Sequence, residues 1–186
     1  IKYLDMEPVA SVAERLMGDD CHIIGMTAWT TGPDRPDQHL HADYLPVEIP
    51  EELLLSGAVK LPVFVATAHY YLNDIYDDLG PTKFIPGSHL AGRKPTSSDR
   101  TWRGMEEQDL MCNAGDCVLF RSDVWHRGSA NTSGETRYLL QVHYARRMIT
   151  QKFPPYLRFK YNDAILSLAN PRQRRFLGEH ERANYD

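Results

Sequence analysis

The chain is poor in cysteine, with only Cys21, Cys112 and Cys117 among 186 residues. An odd count without C-x-x-C spacing argues against a disulfide framework and suits reduced thiols, so a cytoplasmic protein is expected. No apolar run approaches the roughly 20 residues that cross a bilayer. Nor does Ile1-Lys2-Tyr3-Leu4-Asp5 carry a signal-peptide pattern, and no membrane partner is expected. Positive charge is not in excess, with Lys+Arg 21 against Asp+Glu 25 and a pI near 6.1. The field that drives phosphate-backbone binding is therefore missing, and nucleic acid is not an expected partner. Internal repeats and low-complexity tracts are absent as well. What remains is an ordinary globular composition, 42% hydrophobic and 25% charged. It predicts a single domain over residues 1–186, and the opening Ile leads us to expect a further N-terminal segment upstream.

Strand signals fill the middle of the chain and helical signals its ends. Pro8 to Met17 reads as a short amphipathic helix, with Val9, Val12, Ala13, Leu16 and Met17 at helical spacing and Gly18 as its stop. Cys21 to Thr30 reads as a strand, broken by a loop over Thr31–Asp37. Glu51 to Leu55 predicts a helical turn. Val59 to Leu72, which starts near Pro62, predicts a strand, as do Asp116 to Phe120 and Thr136 to Ala145. Asp163 to Ala169 reads as a closing helix before the basic stretch Pro171–Arg175, whose Arg172, Arg174 and Arg175 suit a solvated or ion-paired helix edge. Ala91 to Asp109 mixes charges with Gly, Pro and Ser and reads as a long surface loop, expected to cover the substrate. The pattern suits a β-sandwich or barrel flanked by helices.

The chemistry begins at Gln38-His39-Leu40-His41-Ala42-Asp43, where two imidazoles and a carboxylate follow a loop. In extended chain, residues two apart share a face, so His41 and Asp43 can converge on one cation. A second histidine, His126, opens Arg121–Arg137, which reads as a hairpin between two strands. With Asn131-Thr132 as its turn, His126 lies opposite Arg137. Alternation then puts Arg137, Leu139, Gln141 and His143 on one face, and Tyr138, Leu140, Val142 and Tyr144 on the other. An arginine pointing inward needs either an internal acid or an anionic ligand.

Two histidines, a carboxylate and a nearby arginine are what a non-haem Fe(II) oxygenase needs. Three facial ligands leave three positions, two for a chelating 2-oxoacid and one for O2. A zinc-type metallohydrolase could use the same ligands but has no use for the arginine. A catalytically inactive small-molecule binding module is a further alternative, against which the intact triad argues.

Three separated motifs carry a family resemblance. His41-Ala42-Asp43 is similar to the H-x-D of the phytanoyl-CoA dioxygenase family. Gly80-Pro81-Thr82-Lys83-Phe84-Ile85-Pro86-Gly87-Ser88-His89 is similar to its G-P-x-x-x-x-P-G-S-H segment, and His126 through Arg137 to its distal H-x-G-x-x-N-x-S-x-x-x-R. The resemblance implies a double-stranded β-helix (jelly roll, cupin-like), with His41, Asp43 and His126 as iron ligands. It implies Arg137 as the holder of the distal carboxylate of 2-oxoglutarate. Thr82 resembles a hydroxyl position that contacts the cosubstrate, and His39 a polar cosubstrate contact. His69 matches a position over the cosubstrate, although a core histidine reads equally well. His89 and Trp125 read as structural. Leu79 departs from the family, where Asn usually precedes Gly80, which leaves that turn's hydrogen bonding to be explained. The activity implied is Fe(II)- and 2-oxoglutarate-dependent oxidation, by hydroxylation, of a C–H bond in a small-molecule substrate, with succinate and CO2 as products. The mixed charges of Ala91–Asp109 favour no substrate charge.

Overall fold

A computed structural model describes residues 1–153 and 159–181. Two antiparallel sheets carry the fold. The larger has the order β1-β7-β2-β5, from His22–Thr31, Arg137–Ala145, Val65–Tyr71 and Cys117–Arg121. The smaller has the order β4-β3-β6, from Gln108–Leu110, Thr82–Phe84 and His126–Gly128. Residues 38–41 extend the smaller sheet. The Gln38 amide donates to the Gly128 carbonyl at 2.9 Å, and His41 and His126 exchange both backbone bonds at 2.9 and 2.8 Å. The chain thus has the mainly β, double-stranded β-helix arrangement, with four strand segments in each sheet.

Period-two patterning decides which face goes where. On β2, Ala66, Ala68 and Tyr70 join Val142 and Tyr144 of β7 in the main core, under α1 (Val9–Met17) and α4 (Pro171–Phe176). The opposite face presents Thr67, His69 and Tyr71, with Arg137, Leu139, Gln141 and His143 of β7 beside them. Ala10, Ala13 and Met17 anchor α1, whereas Val12 and Leu16 are exposed. A capping box between Asn170 and Gln173, with Pro171 in the first turn, starts α4. Its arginines are ion-paired, Arg172 and Arg175 to Glu14 and Arg174 to Glu179. The short helices α2 (Glu51–Leu55) and α3 (Asp163–Ser167) complete the fold. No helix among the described residues is long and apolar enough to cross a membrane.

Two expectations need correction. First, β6 and β7 do not form a hairpin. His126 pairs with Phe84 in the small sheet, and Arg137 pairs with Thr31 in the large one. The connection crosses between sheets because Asn131, fully buried, turns its amide nitrogen to the carbonyls of Thr31, Gly32 and Glu135 and accepts from Ser133. Gly80 closes the same junction at φ 75°, where a Cβ would lie 2.8 Å from the Ser129 carbonyl oxygen. Leu79 packs there with Tyr71, Ile75 and Leu139, so apolar burial fills its position while Asn131 ties up the neighbouring carbonyls. Second, Ala91–Asp109 does not cover the cavity described below, which none of its residues lines. Arg127 paired with Glu107, Lys83 paired with Asp109 and the β4–β3 ladder fasten that segment to the small sheet, on the side that Lys83 and Arg127 present.

Candidate active site

Between the sheets lies a cavity of about 440 Å³, lined by His41, Asp43 and His126 and by the polar face of β7. Ligand atoms of these three residues lie within 4.8 Å of one another. Nε2 of His41 and Nε2 of His126 are each 3.7 Å from Asp43 Oδ1. The far side of each ring sets its orientation, because His41 Nδ1 faces the His39 carbonyl at 2.8 Å and His126 Nδ1 the Val124 carbonyl at 3.0 Å. With Nδ1–H donating to backbone, both Nε2 lone pairs point at the same space, as metal-ligating histidines require. The Thr67 hydroxyl lies 3.3 Å from Asp43 Oδ2, leaving Oδ1 toward the imidazoles. Burial opposes the Asp43 charge, yet His126, His143 and His41 around it hold the carboxyl below the usual range. Burial likewise pushes the His126 pKa down, against the pull of the neighbouring Asp43 carboxylate.

Arg137 lies in the same cavity, 7% exposed. Its guanidinium donates to the Gly80 carbonyl and to Thr31 Oγ1 at 3.3 Å, while its Nε has no partner. No Asp or Glu among the described residues pairs with it, and burial depresses its pKa. Thr82 is buried nearby and accepts the Tyr71 hydroxyl at 3.1 Å, so its own proton is free to serve an anion. His69 is both buried and part of the cavity wall, and burial pushes its pKa down to about 3. Its tautomer follows from its neighbours. The Trp29 indole N–H donates to Gln141 Oε1 at 3.0 Å, so the Gln141 amide nitrogen donates to His69 Nε2 at 2.8 Å and the His69 proton sits on Nδ1.

Of the residues singled out in the sequence, His41, Asp43, His126, Arg137 and Thr82 converge on this cavity. His39 does not. It is exposed, turns away from the cavity, and contributes only the carbonyl that orients His41. Its neighbour Gln38 lines the cavity instead, with Oε1 accepting the Gly128 amide at 2.9 Å. Thr67 and Gln38 carry no motif, but the alternation of Thr67, His69 and Tyr71 on β2 was a usable signal. His89 lies outside the cavity lining, and Trp125 is fully buried, with its indole donating to the Arg93 carbonyl.

Comparison with known proteins agrees with this fold. The Rv1501 protein of Mycobacterium tuberculosis, described as uncharacterized, is 31% identical over 105 residues, which is 56% of this chain and 37% of that one. Dioxygenase cdmA of Talaromyces verruculosus is 32% identical over 117 residues, 60% of this chain and 36% of that one. The chain thus spans little more than a third of either relative. Among solved structures, HygX from Streptomyces hygroscopicus with iron bound superposes with a TM-score of 0.61 at 16% identity, over 80% of this chain and 68% of that one. The same protein with nickel, 2-oxoglutarate and hygromycin B bound gives 0.59 at 14% identity, over 80% and 65%. The family model for phytanoyl-CoA dioxygenase (PhyH) matches residues 3–139, so the chain belongs to the phytanoyl-CoA dioxygenase family.

Proposed function

We propose that this protein is an Fe(II)- and 2-oxoglutarate-dependent dioxygenase that hydroxylates a C–H bond of a small organic substrate. The observation that carries the reading is Arg137, a buried guanidinium with no acid partner among the described residues, in the cavity that also holds the His41, Asp43 and His126 cluster. A zinc hydrolase has no use for that cation. A carboxylate meeting it in a planar, bidentate pair supplies what the fold leaves unpaired.

Two imidazole nitrogens and one carboxylate oxygen form a donor set suited to Fe(II). Iron, when bound, supplies activation of O2 coupled to oxidative decarboxylation of 2-oxoglutarate to succinate and CO2, with the second oxygen atom entering the substrate. The chain's own residues do the rest. His39 and Val124 carbonyls hold the imidazoles in register, Thr67 steadies Asp43, and Arg137 with Thr82 binds the distal carboxylate. His69, kept neutral by burial, walls the site without competing for that anion.

The test is anaerobic addition of Fe(II) and 2-oxoglutarate. Bidentate chelation gives a weak visible charge-transfer band, and admission of air then yields succinate. If the protein binds Fe(II) but shows neither band nor succinate, the assignment fails.

A further inference from the structure

Resting on that reading, we infer that the substrate is an organic anion with an apolar body, and that its charge is met by Lys152. Among the described residues, three cations line the cavity, Arg35, Arg137 and Lys152, against one carboxylate, Asp43. Fe(II) and the 2-oxoglutarate dianion cancel each other on loading. Asp43 offsets Arg137, and two positive charges remain on Arg35 and Lys152. Neither has a carboxylate within ion-pair distance among the described residues, whereas Lys83, Arg121, Arg127 and Arg172 are all paired.

Lys152 is exposed, and its backbone is tied to β1. Its backbone N–H donates to the Ile24 carbonyl at 2.6 Å, its stem lies where a Cβ on Gly25 would meet Cδ at 3.7 Å, and its ammonium stands 5.7 Å from the Tyr44 ring centre. Gly25 also pairs with His143, six residues along β7 from Arg137. At about 3.3 Å rise per residue, the β7 backbone positions beside the two cations lie roughly 20 Å apart. One cation holds the cosubstrate, and the other is free for the substrate. The cavity lining also carries apolar side chains among its polar ones. Trp29, 44% exposed, has already spent its indole N–H on Gln141, so its ring offers only hydrocarbon surface, beside Met26 and Phe153.

The probe pair is indole-3-acetate and indole-3-ethanol, which share an aromatic body and differ in charge. Binding is measured by calorimetry to protein loaded with Ni(II) and saturating 2-oxoglutarate, which occupies Arg137. The acetate is expected to bind about tenfold more tightly than the alcohol, as a charge-assisted contact implies. Added salt should narrow the gap. Lys152→Met should bring the acetate down to the alcohol's affinity, with 2-oxoglutarate affinity and melting temperature unchanged. Equal affinities in the wild type, a preference that survives Lys152→Met, or no saturable binding of either probe overturns the inference. If the wild type fails to bind 2-oxoglutarate, the cosubstrate reading fails instead, and the Lys152→Met difference is scored without cosubstrate.

Discussion

Replacing Arg137 separates a structural guanidinium from a ligand-binding one. Buried, with an unpartnered Nε and no acid beside it among the described residues, Arg137 makes no ion pair there. Removing one member of a true buried ion pair costs about 3–5 kcal/mol. Arg137→Met removes an uncompensated buried charge, so the variant without metal or cosubstrate is expected to melt no lower than the wild type. Arg137→Lys keeps the charge but loses the planar fork. One charged hydrogen bond is worth about 1.5–3 kcal/mol, which predicts roughly 10- to 100-fold weaker 2-oxoglutarate binding. Thermal shift with Ni(II) resolves this. At a cosubstrate concentration of about 100 times the wild-type Kd, binding stabilises by about 2.7 kcal/mol, or roughly 5–10 °C for a chain of this size. At the same concentration a 100-fold weaker Arg137→Lys variant gains only about 0.4 kcal/mol, roughly 1–2 °C. A wild-type shift in the lysine variant would move the carboxylate site elsewhere, and a collapse of the empty Arg137→Met protein would show that the guanidinium is structural.

Ala substitution of His41, Asp43 or His126 should abolish succinate formation through loss of metal, and full activity in any of them with iron still bound would refute the triad. With the Asp43 carboxylate on the metal, no position remains for a halide, so excess chloride should give no chlorinated product by mass spectrometry. Thr67→Val should weaken Mn(II) affinity about 10- to 100-fold by freeing Asp43 Oδ2, and Thr67→Ser should restore it; equal affinity in the valine variant would deny Thr67 that role. Acidification should destabilise the metal-free protein. Burial pushes the His69 and His143 pKa values down to about 3 and about 4, so between the unfolded value near 6.5 and these folded values the unfolded chain binds more protons. Stability should therefore fall as pH drops from about 6.5 to 4, by up to about 1.4 kcal/mol per pH unit for each histidine. Denaturant melts at pH 7, 6 and 5 check this, and a flat or rising trend would show that these rings are hydrated.

Legibility followed the range over which each signal acts. The H-x-D segment was legible because extended backbone alone puts His41 and Asp43 on one face, and the faces of β7 were legible for the same reason. Helix α1 was legible from its spacing and its Gly18 stop, although the sequence could not say that Ala10 rather than Val12 would be buried. The strands Thr82–Phe84 and Gln108–Leu110 span three residues each, too few for any period to show. Pairing between β6 and β7 was misread because turn residues between two extended runs look like a hairpin, whereas what decides the path is tertiary. Asn131 reaches carbonyls at Thr31 and Gly32, about a hundred positions earlier, and Gly80 admits the Ser129 carbonyl. The covering role expected of Ala91–Asp109 failed for a related reason, since composition marks a loop but not the side of the sheet on which ion pairs fasten it. His126 and Arg137 nevertheless meet in one cavity, because each hangs from a different sheet and the sheets face each other. The eleven-residue step between them is thus the length of a crossover, which explains how a motif can be right about its residues while the local geometry inferred for it is wrong.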